Sequence, residues 1–213
     1  MWQHEWAVER GIMAAMNQIV IASNNPGKLR EFSALLAPFD FTAVPQSALG
    51  VGEAAEPHVT FVENALAKAR HAAAATGLPA MADDSGICAR ALGDAPGVYS
   101  ARYAGEPKSD QRNNEKLIAE LARYTDRRAF YYCALVLVMH PDDPQPMIAE
   151  GEWHGEIVDT PRGSGGFGYD PYFFLPEYGC TAAELDATTK NRVSHRGLAM
   201  QRLAEKLRAA RGS

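Results

Sequence analysis

An α/β fold is the class this sequence predicts, and three observations predict it. Short apolar runs of strand length alternate with segments whose apolar residues recur at helical spacing. Phe130–Met139 is apolar throughout, so it belongs in the middle of a sheet. Met147–Val158 has alternating character and follows a turn at Pro141–Pro146, which makes the two runs an antiparallel hairpin. At 213 residues the chain suits one domain, or two lobes sharing a sheet, with a real core.

Residues 1–17 contain Glu5 and Glu9 and no long apolar run, so they read as neither a signal peptide nor a membrane span. They are expected to be a poorly ordered N-terminal extension, with Met16 as a candidate start. Ile19–Ala22 reads as a buried strand. Ser23-Asn24-Asn25-Pro26-Gly27-Lys28 follows, then Leu29, Phe32, Leu35 and Leu36 at helical spacing. Pro26 suits a helix start. A loop of this kind presents backbone N–H groups and the positive end of a helix dipole, which favour a phosphate. It is not a Walker A loop, because the first glycine is missing and Leu29 replaces the Ser or Thr.

Phe41–Val44 is a second strand, and Gln46–His58 a loop containing Glu53 and Glu56. Thr60-Phe61-Val62-Glu63 is a capping box. Phe61, Ala65, Leu66, Ala69, Ala72 and Ala73 then form one apolar stripe of a helix that ends near Gly77. Leu78–Ala82 leads as a strand into Asp83-Asp84-Ser85-Gly86 and continues weakly through Ile87–Leu92. Ser109 can cap a helix running to about Tyr124. After the hairpin comes the glycine-rich run Gly163–Asp170, which exposes Phe167 and Tyr169. Thr181–Asp186 reads as a short helical turn, and Ser194 caps a final helix with Lys190, His195 and Arg196 clustered at its start.

Composition removes several function classes. Hydrophobic residues make up 46% and charged residues 22%, an ordinary globular balance. The net charge of −5 leaves no basic field for a nucleic-acid backbone. A small anionic ligand would need local cations or a metal. Cys88, Cys133 and Cys180 are odd in number and far apart, against a disulfide framework or zinc cluster and in keeping with a reducing compartment. No apolar stretch reaches transmembrane length.

Four features ask for a joint explanation. Carboxylates at the end of a buried strand are costly unless a metal, a cation or hydrogen bonds compensate them. Asp83-Asp84 is therefore either a hard-cation site or a solvated acidic turn. The Ser23–Lys28 loop is either a phosphate cradle or a generic connection. Phe167 and Tyr169 are either a stacking surface or core aromatics on a flexible turn. Lys190, His195 and Arg196 are either donors to a ligand or surface charge. Together they make what a nucleoside triphosphate requires: cations for phosphate, a carboxylate for Mg²⁺, a ring for a flat base and donors for a base carbonyl. Adjacent strand residues face opposite ways, so Asp83 and Asp84 should have different roles. Glu56 is either an exposed loop acid or a second metal ligand.

The motifs also carry a resemblance. Ser23-Asn24-Asn25-Pro26-Gly27-Lys28, Phe61-Val62-Glu63-Asn64-Ala65, Ala82-Asp83-Asp84-Ser85-Gly86, Pro96–Arg102, Gly166-Phe167-Gly168-Tyr169-Asp170 and Ser194-His195-Arg196 occur in an order that resembles the inosine triphosphate pyrophosphatase family. The resemblance covers about residues 19–207. It implies an elongated mixed sheet with flanking helices, in two lobes around a nucleotide cleft, so that residues 18–213 form a single two-lobed domain. It implies Mg²⁺-dependent hydrolysis of ITP, dITP and XTP to monophosphate and pyrophosphate by a homodimer; a cytoplasmic location, with no nucleic-acid or membrane partner, is expected beside it. By motif it makes Asp84 the proton acceptor and metal ligand, with Glu56 a weaker metal-ligand match. Ser23, Asn24, Asn25, Pro26, Gly27, Lys28 and Ser85 become substrate contacts. Phe167, Gly168, Tyr169, Asp170, Lys190, His195 and Arg196 become base-recognition residues. A Maf-type pyrophosphatase, a non-hydrolysing nucleotide sensor and a structural α/β protein are the competing readings.

Overall fold

Parallel and antiparallel strands share one open sheet, in the order β2-β1-β3-β5-β6-β7-β8 with β4 paired to β3. The strands are β1 (Gln18–Ile21), β2 (Thr42–Pro45), β3 (Ala80–Ala89), β4 (Ala95–Pro96), β5 (Arg128–Val138), β6 (Met147–Ile157), β7 (Phe173–Leu175) and β8 (Cys180–Thr181). The helices are α1 (Pro26–Leu36), α2 (Phe61–Thr76), α3 (Asp110–Leu121), α4 (Ala187–Val193) and α5 (His195–Arg211). The structure is a computed structural model and describes residues 17–211. Apart from Asn17, the expected N-terminal extension lies outside the described residues.

Chain connectivity explains the mixture. β1 pairs in parallel with β2, across a crossover through α1, and in parallel with β3, across α2. β3 with β4 and β7 with β8 pair antiparallel across short connections, and β6 with β7 pairs antiparallel across the longer loop that holds the glycine-rich run. β5 and β6 are sheet neighbours joined by a turn too short for a parallel crossover, the hairpin read from the sequence.

Local chemistry sets most helix ends. Thr60 Oγ1 accepts the Glu63 amide at 3.2 Å and donates to Glu63 Oε2 at 2.6 Å, opening α2. Ser109 Oγ accepts the Arg112 amide at 3.3 Å and opens α3, which ends at Leu121, short of the expected Tyr124. Ser194 Oγ accepts the Gly197 amide at 3.2 Å at the start of α5. The expected helical turn at Thr181–Asp186 is different: Thr181 belongs to β8, and the helix begins only at Ala187, where Asp186 accepts the Thr189 amide at 2.9 Å.

The chain divides into two compact units. The first holds the described residues up to Asp83, Leu135–Ala149 and the part of α5 from Met200 onward. Ile19, Val20, Ile21, Phe32, Leu36, Met81 and Leu203 are buried in it. The second comprises Asp84–Ala134 and Glu150–Ala199. Its core joins Ile87, Leu117, Leu121, Tyr131, Trp153, Ile157, Tyr169 and Phe173. Each large apolar side chain so buried contributes about 1.5–3 kcal/mol.

Candidate active site

Asp83 and Asp84 do not end a strand. β3 runs through them for ten residues, because it finds partners at both ends: β1 opposite Ala80 and Met81, and β4 opposite Cys88 and Ala89. Neither carboxylate is in a solvated turn, since Asp83 is 2% and Asp84 8% exposed. Buried carboxylates need compensation. For Asp83 it is Lys28, whose Nζ lies 2.8 Å from both Asp83 oxygens. Asp84 Oδ1 accepts the backbone N–H of Ser85 at 3.1 Å. The two acids thus have different partners.

In the first unit, Asn25 is the N-cap of α1. Its Oδ1 accepts the Gly27 amide at 2.8 Å and the Lys28 amide at 3.3 Å, with Pro26 in the first turn. This corrects the picture of open amides at the loop: Asn25 itself fills two of them. Ser23 Oγ accepts the Asn25 amide at 3.2 Å, and Asn24 donates to Glu53 at 3.2 Å. Glu56 accepts from Lys68 Nζ at 2.6 Å, and Asn64 holds the backbone of His58 on both sides at 3.0 and 3.2 Å.

In the second unit Asp170 is a hub. Its Oδ2 accepts from Lys190 Nζ at 2.5 Å and from the Phe167 amide at 2.9 Å. Its Oδ1 accepts the Tyr131 hydroxyl at 3.2 Å. Lys190 sits on the separate helix α4, not at the start of the last helix, and its Nζ lies 5.4 Å from the centre of the Phe167 ring. Phe167 is 57% exposed. Tyr169 is buried, contrary to the expected exposure, because its hydroxyl donates to the Ser100 carbonyl at 2.8 Å and its ring joins the core. His195 and Arg196 are buried too, which removes the surface-charge alternative. The His195 ring stacks on Tyr131 at 4.7 Å and 10°.

Two residues missed by the sequence reading hold the loop in place. Gly168 donates to Asp110 Oδ2 at 2.9 Å and accepts from Asn114 Nδ2 at 2.9 Å. Asn113 and Asn114 gave a usable signal: two poor helix formers in succession inside α3 need a reason. The Tyr131 hydroxyl, inside an apolar run, gave none.

Among the described residues no group of three or more His, Cys, Asp or Glu side chains gathers as a metal centre. Mg²⁺ bound with a nucleotide does not require one, as it takes one or two carboxylates, substrate phosphates and waters. Asp84 fits that donor set.

The family model of the Ham1 family matches residues 19–206. The chain belongs to the Ham1 family. The match spans nearly the stretch over which the ordered motifs carried their resemblance, and that expectation is borne out. This Ham1 protein is 65% identical over 196 residues to the dITP/XTP pyrophosphatase of Ralstonia nicotianae, covering 91% of this chain and 98% of the relative. It is 66% identical over 192 residues to the dITP/XTP pyrophosphatase of Nitrosomonas europaea, covering 90% and 95%. Its fold is similar to a HAM1 protein from Coxiella burnetii, with a TM-score of 0.87 at 47% identity over 91% of this chain and all of that one. The mixed sheet with flanking helices is thus the family's fold.

Proposed function

We propose that this Ham1 protein is a nucleoside triphosphate pyrophosphatase that hydrolyses dITP, ITP and XTP to the monophosphate and pyrophosphate. The observation that carries the base-recognition half is the exposed Phe167 ring beside the Lys190 ammonium, which Asp170 grips at 2.5 Å. A flat exposed ring suits stacking of a base, worth about 1–3 kcal/mol in related settings. A fixed ammonium suits a carbonyl acceptor. Hypoxanthine and xanthine offer a 6-keto acceptor, where adenine offers a 6-amino donor and leaves the site's donors unpaired.

The triphosphate half is assigned to Lys28, Ser23–Gly27, Ser85 and Asp84. An ammonium has three donors. Lys28 directs donors to Asp83 and keeps its charge at the start of α1, where phosphate oxygens are favoured. Asp84 is the group that accepts a proton from the attacking water, positioned by the Ser85 amide on its Oδ1. Bound with the substrate, Mg²⁺ supplies neutralisation of the triphosphate charge. Asp84 is the residue that would hold it, with Glu56 the weaker match. His195 and Arg196 complete the base side, and residues 18–213 act as one two-lobed domain. Homodimer assembly, a cytoplasmic location and a role in clearing the nucleotide pool belong to the same reading.

Purified protein incubated with dITP or XTP and Mg²⁺, followed by phosphorus NMR, tests it. Monophosphate plus pyrophosphate, with ATP and GTP largely spared, is the expected result. Diphosphate plus orthophosphate would move the attack to the γ-phosphorus and overturn the mechanism. Tight binding without turnover would make the protein a sensor, and a preference for modified pyrimidines would favour Maf-type chemistry.

A further inference from the structure

Tyr131 is the residue that links the two base-recognition motifs. It lies on β5, 8% exposed, outside every motif that the sequence singles out. Its hydroxyl donates to Asp170 Oδ1 at 3.2 Å. Its ring lies parallel to His195, 10° off plane at 4.7 Å, and edge-on to Phe173 at 4.8 Å. A Cβ on Gly151 would lie 2.1 Å from the His195 carbonyl oxygen, so β6 and the start of α5 approach as closely as only glycine allows. One strand residue therefore touches both the Phe167–Asp170 loop and the Ser194–Arg196 turn.

We propose that Tyr131 is a positioning residue for base recognition, holding Asp170 through its hydroxyl and His195 through its ring. The inference rests on the reading of the Phe167, Lys190 and His195 set as the base site. Asp170 explains why the hydroxyl matters. A carboxylate has about four acceptor positions. Tyr131, Lys190 and the Phe167 amide fill three of them. Asp170 thus acts through Lys190 and Phe167, and Tyr131 sets the angle from which it does so. Burial and the adjacent Asp170 charge push the Tyr131 phenol well above its ordinary value, so it remains a donor throughout the physiological range.

Tyr131→Phe separates this role from a structural one, because it keeps the ring, its burial and its stacking on His195. Steady-state kinetics of wild type and Tyr131→Phe with dITP and with dATP, beside thermal melts, make the test. The expected result is a KM for dITP raised about tenfold, the size of losing one hydrogen bond to a charged group, with kcat within about twofold of wild type. The preference for dITP over dATP narrows by a similar factor, and the melting temperature moves by only a few degrees, about 2–4 °C. Tyr131→Leu, which also removes the stacking partner of His195, should widen the loss. A Tyr131→Phe protein with wild-type KM and wild-type preference overturns the proposal, and so does a fall in kcat alone. A wild-type protein inactive on dITP and XTP defeats the base-site reading itself and the proposal with it, an outcome visible before any variant is made.

Discussion

Lys28 and Asp83 form a buried ion pair, with Nζ 2.8 Å from each carboxylate oxygen and the Asp83 side chain only 1% exposed. They stand at the start of α1 and in the middle of β3, 55 residues apart. The pair ties the start of α1 to β3. Removing one partner leaves the other charge buried and uncompensated. Lys28→Met should therefore cost about 3 kcal/mol of stability, slightly less than for a fully enclosed pair since Lys28 is 20% exposed. Chemical denaturation checks the figure. The double variant Lys28→Met/Asp83→Leu should recover much of the stability but none of the turnover.

Asp84→Asn keeps the size of the side chain while removing the carboxylate proposed as the proton acceptor. Turnover of dITP should fall by about a thousandfold or more, with an unchanged circular dichroism spectrum and melting temperature. Turnover within tenfold of wild type would exclude Asp84 as the base.

Gly166 has φ +75°, and a Cβ there would meet Asp170 Oδ2 at 2.1 Å and Lys190 Nζ at 2.8 Å. Gly166→Ala combines backbone strain of about 1–2 kcal/mol with displacement of that ion pair. Its KM for dITP should rise at least tenfold. A crystal structure of the variant should show Lys190 moved off Asp170.

Asn114 and Asp110 hold both polar backbone groups of Gly168. Asn114→Leu deletes one of these bonds and leaves the carbonyl bare, at a cost of about 1–3 kcal/mol. Amide hydrogen exchange across residues 165–169 should accelerate while α1 and α2 keep their protection. Unchanged exchange there would show that the clamp does not restrain the loop.

Asp143 accepts the Met139 and Gln145 amides at 2.8 Å each, and these backbone bonds hold its carboxyl below the usual value. A depressed folded-state pKa means that its stabilisation is complete above the unfolded value of about 3.9 and is lost as pH falls through the lower folded value. Between about pH 4 and pH 2, denaturation midpoints of wild type should fall more steeply than those of Asp143→Asn. Equal slopes would contradict this account of the turn.

The caps at Thr60, Ser109 and Ser194 were legible because each pairs with an amide three residues away, a distance the chain itself imposes. β1, β2, β5 and the first half of β3 were legible as apolar runs and β6 by its alternation, while the two-residue strands β4 and β8 were not. Asp83 and Asp84 were visible as chemistry but misplaced at a strand end, since the partners that extend β3 come from elsewhere in the chain. Tyr169 was read as exposed because aromatic residues among glycines look alike whether they face solvent or core, and the Ser100 carbonyl that receives its hydroxyl is 69 residues away.

By itself, then, the sequence determined the α/β class, most helix starts, the family and the residue types gathered at the site. These depend on local periodicity, nearest-neighbour hydrogen bonds and ordered motifs. Only the tertiary structure decided which acid pairs with Lys28, that Lys190 stands on its own helix, and that Tyr131, Asp110 and Asn114 support the glycine-rich loop. Those assignments depend on which buried charges and amides meet across 20 to 58 residues of chain. Such meetings are set by the need to compensate every buried polar group, and no local pattern records which partner will do so.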